Sequence, residues 1–401
     1  MIKTLLRILG KTLGCLLAVV LLLVLVTGFS PIYRFRPPRP FSGPDIFNPY
    51  AALDTSIGWK RSLFHCHTRV KGPWPVNECA YDAQQTWDAL QKLGYDIVTF
   101  SNHNEITPHP FDTALQVNVY EQGYSPYKFH KLVFGSSRVK HYDPLVPLLA
   151  SQKQFELERL GAGSDFIQMN HPYRTWGTSE DHFQKLSGYE IMELDTSVST
   201  ENEYWDWALS AGHYCFGLAN DDLHYPDRSG CIGVRCNFLC TPSGRYEDLK
   251  RTLLGGCYYA MRVPDYGQGD WAVKYERNRH LPAIRDIGLR GDTVYLCLSE
   301  RADSIRATGQ DHAVLALSTQ TDSLAYVLGP EEPYVRLTAF FPDGEVIYTN
   351  PFARYDASRK ASPLGEAPQP VNIPLTILWN LLLLLLAAGV LCGMVKLIRC
   401  R

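Results

Sequence analysis

An excess of charge of one sign is the first thing this 401-residue chain lacks: 39 lysines and arginines stand against 41 aspartates and glutamates, a formal net charge of −2. No basic field exists to hold a nucleic-acid polymer non-specifically, so none is expected as a partner. None of the eleven cysteines forms a CxxC pair, which argues against a tetrahedral zinc finger. No internal repeat of solenoid length is present. No small-x-small cleavage site stands close behind the first apolar segment.

What is present begins with two apolar ends. Residues 13–29 are almost wholly apolar and follow Lys3, Arg7 and Lys11. That length just spans a bilayer, so we read it as an anchor, with a cleaved signal peptide as the alternative. The Pro-rich stretch 30–44 reads as an extended stalk. Residues 373–395 carry six consecutive leucines, Leu381 to Leu386, with Trp379 near the start and Lys396, Arg399 and Arg401 behind. By the positive-inside rule both termini are cytoplasmic. The expectation is a two-pass protein of the cell membrane, with the lipid bilayer as partner and the domain between the anchors extracytoplasmic. There, Cys231, Cys236 and Cys240 either form disulfides or stay buried thiols.

Between the anchors, β-rich runs at 61–67, 96–101, 131–135, 165–171, 189–194, 214–219 and 232–238 alternate with helical stretches at 83–93, 144–160 and 245–254. A Thr200/Glu203 capping box predicts one more helix, ended by Gly212. Such alternation predicts a parallel α/β fold, barrel or open sheet. After about residue 279, short strands at 292–299, 313–318, 334–341 and 345–348, with a turn at 342–344, predict a small antiparallel β domain. The expected division is 1–29 anchor, 30–58 stalk, 59–278 catalytic domain, 279–358 β domain, 359–372 linker, 373–395 transmembrane helix and 396–401 basic tail.

Polar residues gather at the C-terminal ends of the expected strands, where α/β folds build their sites. The first strand ends in His65-Cys66-His67-Thr68. Residues two apart on a strand share a face, so both imidazoles reach one ion, and Cys66 points away as a core thiol. The second ends in Asn102-His103 and the fourth in Asn170-His171-Pro172. The fifth carries Glu193, with Asp195 after it, and the sixth ends in Asn220-Asp221-Asp222-Leu223-His224. Imidazole with carboxylate suits Mn, Zn or Fe. A divalent ion with an open position acidifies water for ester hydrolysis, and a phosphoester gains most from clustered positive charge. Arg138 and Arg174 lie just past strand ends, where a guanidinium can grip phosphate. His141 follows the third strand at short range. The remaining histidines, His130 and His213 among them, read as structural or solvated.

The ordered set HCHT, GYDIVTFSNHNEI, MNHPYR, YEIMEL and GLANDDLH resembles the PHP (polymerase and histidinol phosphatase) superfamily over roughly residues 59–260. The resemblance implies a distorted seven-stranded β/α barrel with one to three divalent ions at its mouth, acting on small phosphoesters. A β domain follows the barrel in some PHP-like proteins. The family's HxH matches His65 and His67, its second-strand Asp-His matches Asn102-His103, its His-Pro matches His171, and its closing Asp-x-His matches Asp222 and His224. In the family an acidic residue or His follows HxH closely. Here the stretch reads Arg69-Val70-Lys71-Gly72, and Glu78 or Asp82 is the substitute. The family's third strand ends in a bridging Glu, whereas this one ends in Gly135-Ser136-Ser137-Arg138. One or two ions are therefore expected, or a site rebuilt with Glu193, Asp195 or His141. Glu193 reads either as a ligand or as an acceptor that orients a histidine, and Asp221 as a supporting partner. The expected catalytic set is Asp222, Glu193, Arg174 and Arg138. The expected metal set is His65, His67, His103, His171, Asp222, His224, Glu193 and His141. The rival readings are a non-phosphate ester or amide hydrolase, a sensory module that kept the fold without catalysis, and an envelope protein whose β domain binds a partner.

Overall fold

The computed structural model describes residues 2–71 and 77–399. The expectations for Gly72, Cys400 and Arg401 fall outside them. The chain opens with helix α1 (Ile2–Thr27) and runs through strands β1 (Asp45–Phe47) and β2 (Lys60–Leu63) to helix α2 (Ala83–Gln91). Asp82 accepts from the Gln85 amide and Gln85 returns the bond to the Asp82 amide, so a capping box starts α2. Strands β3 (Ile97–Val98), β4 (Val119–Gln122) and β5 (Lys131–Phe134) precede α3 (Ala150–Gly161). Then come β6 (Phe166–Met169), α4 (Glu180–Phe183), β7 (Ile191–Glu193), α5 (Glu203–Ser210) and β8 (Phe216–Leu218). The second half holds β9 (Arg235–Leu239), α6 (Tyr246–Gly255), β10 (Tyr258–Arg262) and α7 (Trp271–Asn278). The strands β11 (Ile284–Arg290), β12 (Thr293–Thr308), β13 (Val314–Val327), β14 (Tyr334–Phe340), β15 (Val346–Thr349) and β16 (Phe352–Tyr355) follow, and helix α8 (Ile373–Arg399) comes last.

Two sheets result. Strands β4-β5-β6-β7-β8 form one, with β6, β7 and β8 parallel and β5 antiparallel to both of its neighbours. The other runs β1-β16-β14-β15-β10-β9-β2-β3, with β11, β12 and β13 attached through the pairing of β12 with β14. The strands on either side of residue 279 thus share one sheet. Among the described residues, ladders do not close a seven-stranded ring. Where the sheets' edges meet, two isolated parallel bridges form, Cys66 to Leu223 and His103 to Glu121. Asparagines supply further rungs: Asn220 Oδ1 accepts from the Phe64 amide at 2.9 Å, and Asn237 bonds both the amide and carbonyl of Ala219 at 2.8 Å.

Several expectations are corrected. The third expected strand runs antiparallel, which reverses which of its ends faces the rim. Helix α3 starts at Ala150, not residue 144, because Pro147 has no amide hydrogen to give and disfavours a helical residue before it. The Thr200/Glu203 box does not form: Asn202, left-handed at φ 54°, is the N-cap of α5, and Glu203 instead accepts from the Ser199 hydroxyl. Strands β12 and β13 are far longer than the short runs expected, because their alternation continues past a bulge between Cys297 and Ala302. For Cys231, Cys236 and Cys240 the thiol alternative stands: all three are free, Cys236 and Cys240 buried and Cys231 partly so.

Helices α1 and α8 are each long and apolar enough to cross a membrane, and their side chains are largely exposed. They pack antiparallel through Leu25, Leu383 and Ala387. The Trp379 indole donates to the Gly28 carbonyl at 3.2 Å, and Asn380 exchanges two bonds with the Ser30 backbone. At the other end the Lys11 ammonium reaches the Ile398 carbonyl at 3.5 Å.

Candidate metal centre

The centre is built outward from β2. His65 and His67 follow the strand on one face and are almost completely buried. His65 Nδ1 faces Glu193 Oε1 at 2.9 Å, which leaves Nε2 as the outward lone pair. That Nε2 lies 3.2 Å from Glu121 Oε2 and 3.1 Å from Asp222 Oδ1. His67 Nε2 lies 3.1 and 3.2 Å from the same two oxygens, and 3.4 Å from its neighbour's Nε2. For metal–ligand bonds near 2.0–2.1 Å, tetrahedral donors sit roughly 3.3 Å apart. Asp222 Oδ1 is buried with no hydrogen-bond partner among the described residues. A carboxylate oxygen held that way between two imidazole nitrogens fits a shared cation, so the donor set passes the geometric and chemical test for a divalent ion.

Glu121 carries the arrangement further. Its Oε1 lies 3.1 Å from His130 Nδ1 and 3.2 Å from His171 Nε2, while Asn170 Nδ2 donates to it at 2.9 Å. One carboxylate therefore faces two separate groups of imidazoles. Glu78 Oε2 makes a third meeting point, 3.2 Å from His103 Nε2 and 3.5 Å from His224 Nε2. His103 Nε2 is also 3.2 Å from Glu121 Oε2, and the His67 and His224 rings stack at 4.1 Å.

The local backbone explains the convergence. His171 (φ 25°) and Asp222 (φ 50°) both sit at positive φ, an unfavourable conformation for residues with a side chain. Each is held by its surroundings: the His171 amide donates to Glu193 Oε2 at 2.7 Å, and His224 Nδ1 faces the Asp222 carbonyl at 2.7 Å. Asp221 accepts the amides of Gly233, Val234 and Arg235, which pins the loop behind Asp222. Burial opposes charge on Glu121, yet His103, His65 and His130 hold its carboxyl well below the usual range. Asp222 is likewise held low against burial, by His65 and His67. Burial lowers the His103 imidazole to about 4, with Glu121 pulling the other way. Two buried anions among imidazoles make a preformed cation site.

Of the residues singled out from sequence, the fold brings together His65, His67, His103, His171, Asp222 and His224. Glu193 faces His65 Nδ1 and the His171 amide. Arg174 sits at the mouth, its Nη1 2.7 Å from Asp222 Oδ2. Asp195 lies behind, 3.8 Å from Arg174 Nε and 3.6 Å from Arg235 Nη1. Arg138 and His141 are not in the centre: both are exposed and follow the C-terminal end of β5. The register opposes Lys131 to Gln122 and to Met169, so it is the beginning of β5 that lies at the rim. The sequence reading missed Glu121 and His130, on the two arms of that hairpin. The signal was a glutamate in a run as apolar as its neighbours, Val119-Tyr120-Glu121-Gln122. Asp82 caps α2 and pairs with Arg69, and does not approach the centre.

No family model and no curated protein matches the chain. Two solved structures align with it. One is a two-domain protein containing a predicted PHP-like metal-dependent phosphoesterase from Bacteroides vulgatus, 14% identical over 80% of this chain and 99% of that one, with a TM-score of 0.35. The other is the lesion-specific endonuclease PfuEndoQ from Pyrococcus furiosus, 13% identical over 49% of this chain and 56% of that one, with a TM-score of 0.34. Both alignments are too loose to transfer a residue role.

Proposed function

We propose that the chain is a metal-dependent hydrolase of phosphoesters, built on a distorted seven-stranded barrel that the two isolated bridges complete from β2 through β8. The supporting observation is Glu121, whose two oxygens each face imidazoles from separate strands. Three donor sets follow: His65, His67, Glu121 and Asp222; His103, Glu121 and His130; His67, Glu78 and His103, with His171 beside Glu121 and His224 beside Glu78. Manganese, zinc or iron suits these donors. Ions bound there would acidify a water and stabilise charge on a phosphoryl group. Glu193 fixes the His65 tautomer and ring orientation. Arg174 lines a cleft of about 560 Å³ together with Glu78, Asp222, His224 and Tyr225. Its side chain is half-buried, so it can exchange its Asp222 bond for phosphoryl oxygens. Such concentrated positive charge favours a phosphoester over a carboxylate ester. The sensory reading rested on a missing bridging carboxylate, and Glu121 removes that motive. Helices α1 and α8 would anchor the enzyme with both termini cytoplasmic and the centre outside.

The test is metal analysis of the purified full chain, followed by assay of an aryl phosphate, a phosphodiester and a carboxylate ester with Mn or Zn. We expect bound transition metal and chelator-sensitive turnover of a phosphoester above the carboxylate ester. A chain that binds no transition metal, or that hydrolyses the carboxylate ester best, would overturn the proposal.

A further inference from the structure

The metal centre and the ends of the apolar helices lie at the same end of the fold. Helix α3 leads into β6, whose C-terminal end delivers His171, so the start of α3 stands on the rim side. That start is where α1 ends. The Leu145 amide donates to Thr27 Oγ1 at 3.2 Å, the Tyr142 hydroxyl to the Phe29 carbonyl at 3.2 Å, and Gln152 Nε2 to the Gly28 carbonyl at 3.4 Å. Toward the centre, Ser125 Oγ donates to the Leu145 carbonyl at 3.1 Å, and the neighbouring Tyr124 hydroxyl donates to the His103 carbonyl at 3.3 Å. A few residues therefore separate His103 from the end of α1.

Three large apolar side chains stand exposed on this span: Trp176 at 67%, Leu148 at 53% and Leu149 at 38%. They belong to two adjoining loops. A Cβ on Gly177 would lie 3.6 Å from Leu148 Cδ2, and the Trp176 amide donates to the Tyr127 carbonyl at 2.8 Å. Trp176 is two residues beyond Arg174 at the cleft mouth. An indole with two leucines, bare and continuous with the ends of two bilayer-length helices, has the chemistry of a membrane interface.

We infer that residues 145–149 and 175–177 form a lip that rests in the headgroup layer of the bilayer crossed by α1 and α8. The lip holds the cleft against that surface, and the phosphoester the cleft takes is carried on a membrane lipid. The lip rests on the bilayer-crossing reading, and its substrate on the hydrolase reading above.

The test places p-benzoylphenylalanine at Leu148, at Trp176 or, as control, at the exposed Leu317 of β13, in the full chain reconstituted in vesicles of phosphatidylcholine and phosphatidylglycerol. After irradiation, at least tenfold more lipid adduct is expected at 148 and 176 than at 317, and equal labelling overturns the lip. In a second arm, the double variant Leu148→Asp, Trp176→Asp is expected to lose at least tenfold on vesicle-borne phosphatidic acid while keeping its turnover of soluble aryl phosphate. Equal loss on both substrates, or loss on neither, overturns the lipid substrate. A wild-type chain inert on every phosphoester defeats the hydrolase reading and the lipid substrate with it, and the cross-links still decide the lip.

Discussion

The parallel strands β6 and β8 and the β4–β5 hairpin bring donors to one rim by opposite rules. In β6 and β8 the donors follow the strand, as His171 and Asp222 do. In the hairpin, Glu121 lies inside β4 near its end, and His130 comes before β5 begins. The register explains the contrast: Gln122 opposes Lys131, and Lys131 opposes Met169, so the end of β4, the start of β5 and the end of β6 are level. A donor's place before or after a strand therefore carries meaning only once the strand's direction is known.

The largest effect that would break this comparison is at Glu121. Glu121→Gln removes the anion shared by two donor sets, and we expect bound metal to fall and turnover to drop at least about a hundredfold. Arg138→Ala and His141→Ala, at the other end of β5, should stay within about twofold of wild type. If metal content follows Arg138 or His141 instead, the strand-direction argument fails. The next effect is at Glu193. Glu193→Gln leaves the donors in place but frees the His65 ring and the His171 amide, so metal affinity should weaken by roughly 10–100-fold, read by competition with a chelator. A smaller change tests the hairpin by shape alone. Gly123 has φ +127°, and a Cβ there would come within 2.5 Å of His130 Cδ2. Gly123→Ala should displace that ring and reduce bound metal per chain, with a loss of turnover smaller than that of Glu121→Gln.

Much of the site was legible because parallel strands announce themselves: HCHT, MNHPYR and GLANDDLH each join an apolar run to a donor at its end. Glu121 was hidden because β4 has four residues, all buried, with the charge in the middle of the run. A buried glutamate reads as a break in a strand until its partners are known, and those partners come from the ends of β2, β3, β5 and β6. His130 was hidden by direction alone. The meeting of the two sheets was hidden for another reason: its contacts are two single bridges and a few asparagine side chains, which leave no periodic pattern. The shared sheet across residue 279 depends on β10 pairing with β15, about ninety residues away, and local pattern does not reach that far.

Two histidines grouped together by sequence as structural or solvated now stand apart, and the smallest expected effect separates them. His130 faces a carboxylate of the metal centre. His213, before β8, faces two acceptors: Glu366 Oε1 at 2.7 Å from Nδ1 and the Gln184 carbonyl at 2.7 Å from Nε2. Two acceptors require two N–H donors, which is the imidazolium form. Burial is the largest influence and opposes that charge, but the Glu366 bond, the Glu366 charge and the Gln184 carbonyl together outweigh it and raise the group above its ordinary value. A folded-state value above the unfolded one gives stability that is complete below about pH 6.5 and lost as pH rises through the folded value. The wild-type melting temperature should therefore fall as pH rises past that value. His213→Gln should flatten this slope without changing metal content, whereas His130→Gln should lower metal content and leave the slope in place. A reversal of these two outcomes would mean that facing a shared carboxylate does not distinguish a metal-binding histidine from a structural one.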